Sequence, residues 1–265
     1  MEISTVMKKR IEELISKGKR IDGRDLEEFR DLKIELGVSG KAEGSAQVKL
    51  GDSEVIAGIK LDVVEPFKDS QDEGVLIVGA ELSPLASDRF ESGPPGIQTI
   101  ELARLVDRGL RNSECIDFKK LCVKEGEKVW SLAVDIYPIN DAGNLIDASA
   151  IASIAALSQA VFPEYKDEKV NYGELTNKKI PFTNLPITVT VYKIDSKFVV
   201  DPTTEEEDAS VARVTFTFTY PNEELHSMQK VGEELSESEI LEMEDIALKE
   251  GKKLNTKISN LLKKA

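Results

Sequence analysis

The chain contains one histidine, two cysteines and one tryptophan. His226 has no second imidazole with which to share a metal, so it reads as a surface or hydrogen-bonded structural residue rather than a general base. Cys115 and Cys122 are too few for a metal framework, and their seven-residue spacing fits no zinc pattern, which leaves buried free thiols as the reading. Long apolar runs are missing as well. The richest stretch, Ala148 to Val161, is interrupted by Ser149, Ser153, Ser158 and Gln159, and nothing near the start has signal-peptide or membrane length. A cytoplasmic protein with no membrane partner is therefore expected. Gly93, Pro94, Pro95 and Gly96 match neither GxGxxG nor the Walker pattern, so no phosphate-cradling loop is read there. Positive charge is in deficit, with 35 Lys and Arg against 49 Asp and Glu, a net charge of −14. Affinity for nucleic acid comes largely from cations that release phosphate counterions, so binding by this chain would need a local positive face.

What is present is ordinary for a folded protein. The 265 residues, 40% hydrophobic and 32% charged, can bury one large or two intimately packed domains. Ser4 to Lys17 has helical spacing and ends at Gly18. Strands are predicted at 31–36, 45–50, 53–63 and 75–82, then a helix over about 98–112, a hairpin from 121–123 and 129–138, and a small-residue helix over 147–162. The stretch 163–184 is polar and punctuated and reads as a boundary. Beyond it come strands at 187–193, 197–200, 212–220 and 227–231, and a long helix over 236–264 opened by a capping box of Ser236 and Glu239. The alternation indicates an α+β fold with two βαβα-type halves. The expected segments are 1–30, a leading helix with the segment that follows it; 31–166, an N-terminal domain; and 167–265, a C-terminal domain with the terminal helix.

Phe198 to Tyr220 reads as a strand, an acidic loop at Glu205 to Asp208, and a second strand alternating at Val214, Phe216, Phe218 and Tyr220. By itself an acidic turn is a solvated loop tip. Asp201, before Pro202, reads as a structural strand end in extended geometry. RIDGR at 20–24, GSAQVKLGDSEVIAG at 44–58, ESGPPGIQTIELARLVDRGLR at 91–111, YPINDAGNLIDASAIASIAAL at 137–157 and VVDPTTEEED at 199–208 follow in that order. Together they resemble the RNase PH family of phosphate-dependent 3′-to-5′ exoribonucleases over nearly the whole chain, and within it the non-catalytic ring subunits of the archaeal exosome.

The resemblance implies a ribosomal protein S5 domain 2-like fold. It also implies that Asp208 matches the first of two active-site Asp residues, and that the second falls on Val214. Active members carry Pro-Asp-Arg-Arg-Ser-Ile-Glu where this chain has PGIQTIE, which puts Ile97 and Gln98 on the paired Arg positions. Phosphorolysis must hold two anions together, usually through a divalent metal on carboxylates and Arg or Lys on phosphates. Ile97, Gln98, Asp208 and Val214 therefore read as a vacated active site with no catalytic residue, no metal and no cofactor of its own. Phosphate, with any divalent metal, would belong to the partner's site. The implied partners are a catalytic RNase PH-type subunit in a trimer of heterodimers forming a hexameric ring, RNA-binding cap subunits and single-stranded RNA.

In the helix over 98–112, Ile100, Ala103, Val106 and Leu110 make the expected buried stripe, and Arg104, Arg108 and Arg111 share another face. On the residues alone they read as local ion pairs, Glu101 with Arg104 and Asp107 with Arg111. The resemblance turns this face toward the catalytic partner and makes the three arginines candidates for RNA contact. Arg24 reads as part of a turn that could reach a neighbouring subunit. The alternatives are an active phosphorolytic enzyme using Asp201 or Asp208, and a plain assembly scaffold.

Overall fold

The computed structural model describes residues 3–264. Helix α1 (Thr5–Ser16) leads in. Strands β1 (Leu32–Leu36), β2 (Gly44–Leu50), β3 (Ser53–Val64) and β4 (Val75–Ala80) precede helix α2 (Ile97–Asn112). Strands β5 (Cys122–Lys124) and β6 (Lys128–Asn140) then lead to helix α3 (Leu145–Gln159). A hairpin of β7 (Val161–Lys166) and β8 (Lys169–Lys179) follows. The remainder is β9 (Ile187–Ile194), β10 (Lys197–Val200), the short helix α4 (Thr204–Ala209), β11 (Ala212–Thr219), β12 (Glu224–Gly232) and helix α5 (Glu237–Lys264).

The first sheet is six-stranded in the order β1-β2-β3-β6-β4, with β5 on β6, and only β4 runs parallel to its neighbour. Every second residue of β3, Val55, Ala57, Ile59 and Leu61, is fully buried, as are Leu132, Val134 and Ile136 of β6. Period-two burial places one sheet face on a core. That core is α3, which is buried continuously from Ile146 to Leu157 because its Ala and Ser side chains let backbones approach. A Cβ on Gly44 of β2 would lie 2.5 Å from the Ala156 carbonyl oxygen.

The second sheet, in the order β10-β9-β11-β12, is antiparallel throughout and covered on both faces. Val189, Val191, Val214, Phe216 and Phe218 share the face on which Met243, Ala247 and Ile258 of α5 pack. The opposite face carries buried threonines paired across the strands, Thr188 with Thr217 and Thr190 with Thr215, each at 3.1 Å. Asp147 of α3 accepts hydrogen bonds from the Thr190 amide and hydroxyl at 3.1 and 2.8 Å. Ser236 and Glu239 form the anticipated reciprocal cap of α5.

Four expectations need correction. The acidic loop is a helix, α4, capped reciprocally by Thr203 and Glu206. Part of the polar stretch at 163–184 is hairpin β7–β8, anchored where Phe162 and Tyr165 pack against Trp130. Asp201 is left-handed at φ 46°, not extended. Finally, α2 buries Thr99, Leu102, Leu105, Val106, Gly109 and Leu110, while Ile100 is exposed.

Candidate active-site groove and nucleic-acid interface

The clamp beneath the candidate site joins segments far apart in sequence. Arg20, fully buried, donates to Glu206 through Nε at 3.0 Å and Nη2 at 2.5 Å, and to the carbonyls of Val200 and Asp201. Asp201, also fully buried, accepts from the Arg30 backbone amide at 2.7 Å, from the Arg30 guanidinium at 2.7 and 2.9 Å, and from the Asn144 side-chain Nδ2 at 2.9 Å. Arg24 closes the set on Asp201 at 3.2 Å and is nearly buried. It is held within the chain. Charged groups this far from water persist only when paired and hydrogen-bonded, and here each is.

Above the clamp lies a groove of about 310 Å³ lined by residues that include Arg89, Gln98, Glu101, Asp141, Tyr192, Glu207, Asp208 and Arg213. Its carboxylates are engaged by the chain itself. Asp208 receives a two-pronged ion pair from Arg89 at 2.8 and 2.6 Å. Glu207 accepts from the Asn144 amide and the Tyr192 hydroxyl, both at 2.8 Å, and burial pushes its carboxyl up to about 7. Glu101 of α2 pairs with Arg213 of β11 at 2.8 Å. Burial also raises Asp141 above the usual carboxylate range. Burial opposes the charge of Arg213, yet Tyr192 and Glu101 hold its pKa raised.

The structure brings Gln98 and Asp208 to this groove, but not the other two sites of the expected set. Ile97 begins α2 and projects outward, 85% exposed. Val214 is a correction: it pairs with Val191 on the α5 face of the sheet, so it does not oppose Asp208. Side chains alternate along a strand, and the residue of β11 that faces the groove is Arg213. The alternating run Val214, Phe216, Phe218 contained that signal, since the phase that buries Val214 turns Arg213 the other way.

Arg104, Arg108 and Arg111 are all exposed on α2. The expected Glu101–Arg104 pair does not form, because Glu101 is taken by Arg213. Among the described residues Arg104 makes no hydrogen bond or ion pair. Among the same residues Arg108 donates only to the neutral Gln229, at 2.8 Å. Arg111 is engaged, pairing with Asp107 at 2.6 Å and donating to the Leu76 carbonyl at 3.1 Å.

Two family models cover most of the chain, the 3′ exoribonuclease family domain 1 over residues 28–163 and domain 2 over 184–250. The chain belongs to the RNase PH family of 3′ exoribonucleases. It is 45% identical to the exosome complex component Rrp42 of Methanosarcina acetivorans over 95% of this chain and 93% of that one. It is also 45% identical to the Rrp42 component of Archaeoglobus fulgidus over 91% and 92%. Among solved structures, it matches a chain of the Archaeoglobus fulgidus exosome with RNA bound to the active site at TM-score 0.88 and 43% identity, covering 95% of this chain and 97% of that one. It matches a chain of an archaeal exosome core at 0.85 and 39%, covering 96% of each.

A metal needs carboxylate lone pairs that are free, and Asp208 gives both of its oxygens to Arg89. Among the described residues no three His, Cys, Asp or Glu side chains come together as metal ligands. The donor set does not fit a divalent ion. Other candidates fall into structural roles. His226 shares a hydrogen bond with Thr219 at 2.7 Å, Cys115 is buried with its thiol pushed up to about 11, and Cys122 is only half-buried. Trp130 is core, and the exposed Tyr137 bonds to Glu81. No described helix is long and apolar enough to cross a membrane.

Proposed function

We propose that the chain is a non-catalytic ring subunit of an archaeal-type exosome, a cytoplasmic complex that shortens RNA from its 3′ end. It alternates with a catalytic RNase PH-type subunit, three copies of each, in a hexameric ring that also carries RNA-binding cap subunits. At the partner's site a phosphate oxygen attacks the terminal phosphodiester, releasing a nucleoside diphosphate and leaving a shortened RNA. Phosphate and any divalent metal belong there. The observation that carries the reading is the ion pair between Arg89 and Asp208, which occupies the carboxylate that matches the family's site. The Rrp42 names of the relatives support membership of the ring.

Its own part is to shape the partner's site and to supply part of the RNA-binding wall through Arg104 and Arg108, with Arg111, already paired with Asp107, contributing least. An exposed guanidinium that no carboxylate holds, like that of Arg104, is free to take a phosphate. The purified chain is expected to leave a labelled RNA intact in phosphate, and a mixture with the catalytic subunit to shorten it. Asp208→Asn is expected to leave the rate of the mixture nearly unchanged. A loss of about a hundredfold with assembly intact would put Asp208 into the chemistry and overturn the proposal.

Replacing Arg104 and Arg108 together with Glu tests the wall. The assembled ring should bind single-stranded RNA more weakly, with the slope of log affinity against log salt reduced by about 0.7 for each phosphate no longer neutralised. Unchanged affinity and slope would return the ridge to a structural role.

A further inference from the structure

The first half of α2 is poorly anchored by its own sequence. Its N-cap, Gly96, offers no side chain to the orphan amides, and the whole of 91–98 leading into it is exposed. Leu102 and Leu105 supply apolar contact with Ile146. Among the described residues one polar tie from this half to another element remains, Glu101 to Arg213 of β11 at 2.8 Å. The loop that feeds the helix is tied in turn by Arg89 to Asp208 of α4. Further along, Arg108 reaches Gln229 and Asn112 donates to the His226 carbonyl. Arg104 lies one turn after Glu101, so the position of its guanidinium depends on where that first half is held.

We propose that Arg213 is a positioning residue for RNA binding: through Glu101 it fixes the start of α2 against the second sheet and so aims Arg104 and Arg108 at the RNA backbone. This rests on the reading of the ridge as an RNA wall. The guanidinium suits the role, since three-quarters of its side chain is out of water and, among the described residues, its Nε has no partner of its own. It is oriented by Glu101, and it faces the groove rather than the ridge. Arg213 therefore acts on RNA through the helix and makes no contact itself.

The test is a double-mutant cycle in the assembled ring, with fluorescent oligoadenylate as probe. Arg213→Met, and independently Glu101→Gln on the other side of the pair, should each weaken binding by about three- to tenfold in the wild-type background, and neither should weaken it further once Arg104 and Arg108 are Glu. The charge exchange Glu101→Arg with Arg213→Glu should recover part of the loss. An equal loss in both backgrounds overturns positioning in favour of direct contact or general destabilisation. No loss from either single change, with the ridge variant still impaired, overturns the positioning role alone. An unimpaired ridge variant overturns the ridge reading and this inference together. Glu101→Gln, which keeps the size and shape of the side chain, keeps the cycle decisive if Arg213→Met does not fold.

Discussion

Asp201 is the residue whose loss should cost the most stability for the fewest atoms removed. It is fully buried in a left-handed turn, and its carboxylate is shared by Arg30, Arg24, the Arg30 amide and Asn144. Replacement by Ala removes the counter-charge and leaves the Arg30 guanidinium, about 10% exposed, facing an apolar methyl. Breaking a buried pair from one side costs about 3–5 kcal/mol. Arg30 keeps its bonds to the Ala142 and Gly143 carbonyls at 2.8 and 2.9 Å, which argues for the lower end, about 3 kcal/mol. For a chain of this size that corresponds to a fall in Tm of about 6–12 °C.

Urea unfolding of the purified chain measures it as a shift in midpoint at constant m. Asp201→Asn should lose less than Ala, because Asn tolerates the left-handed region and retains one acceptor. The pair Asp201→Leu with Arg30→Met should be less damaging than Asp201→Ala alone, since the Arg30 charge is then removed with its partner and Arg24 keeps Asp22 at 2.7 Å. An Ala variant within about 1 kcal/mol of wild type, inside the range of exposed ion pairs, would refute the reasoning.

Gly44→Ala should destabilise the chain by about 1–3 kcal/mol in the same assay, because the added methyl meets the Ala156 carbonyl and Ala160 backbone atoms that cannot move aside. Burial pushes Asp147 up to about 7 against an ordinary 3.8, so the folded chain binds its proton more tightly than the unfolded chain. Stability from this group is therefore full below about pH 4 and lost at about 1.4 kcal/mol per pH unit as pH rises toward 7, and Asp147→Asn should flatten that window.

How much of this was legible depends on the range over which each signal acts. The alternation in β3 and β6, the small-residue run of α3 and the Ser236–Glu239 cap are local patterns, and each gave the right element. The same capping pattern stood at Thr203 and Glu206, inside a stretch whose charge made it look like a solvated loop. In α2 several phases of a helical stripe fit nearly as well, and contacts with Ile146 and the threonine face of the second sheet selected the one that exposes Ile100. Hairpin β7–β8 has little alternation of its own and depends on aromatic packing against Trp130. The ion pairs of the site were the least legible part. Arg20 and Glu206 lie 186 residues apart, and nothing near Asp208 marks Arg89 as its partner.

The net charge of −14 and the proposed RNA-facing ridge are compatible because they act over different distances. At physiological ionic strength the Debye length is about 8 Å, so the repulsion between the chain and an approaching phosphate backbone is screened over most of its path. At contact the neighbouring acids decide the local field. Of the two beside the ridge, Glu101 is drawn toward Arg213 and away from Arg104, whereas Asp107 neutralises Arg111. Arg104 and Arg108 therefore keep a usable charge and Arg111 keeps little. Two contacts of this kind are too few to capture RNA against the charge of the whole chain, but enough to add to binding once a neighbouring surface already holds the strand. On the proposed reading, this distribution of charge suits a wall that works only beside a partner.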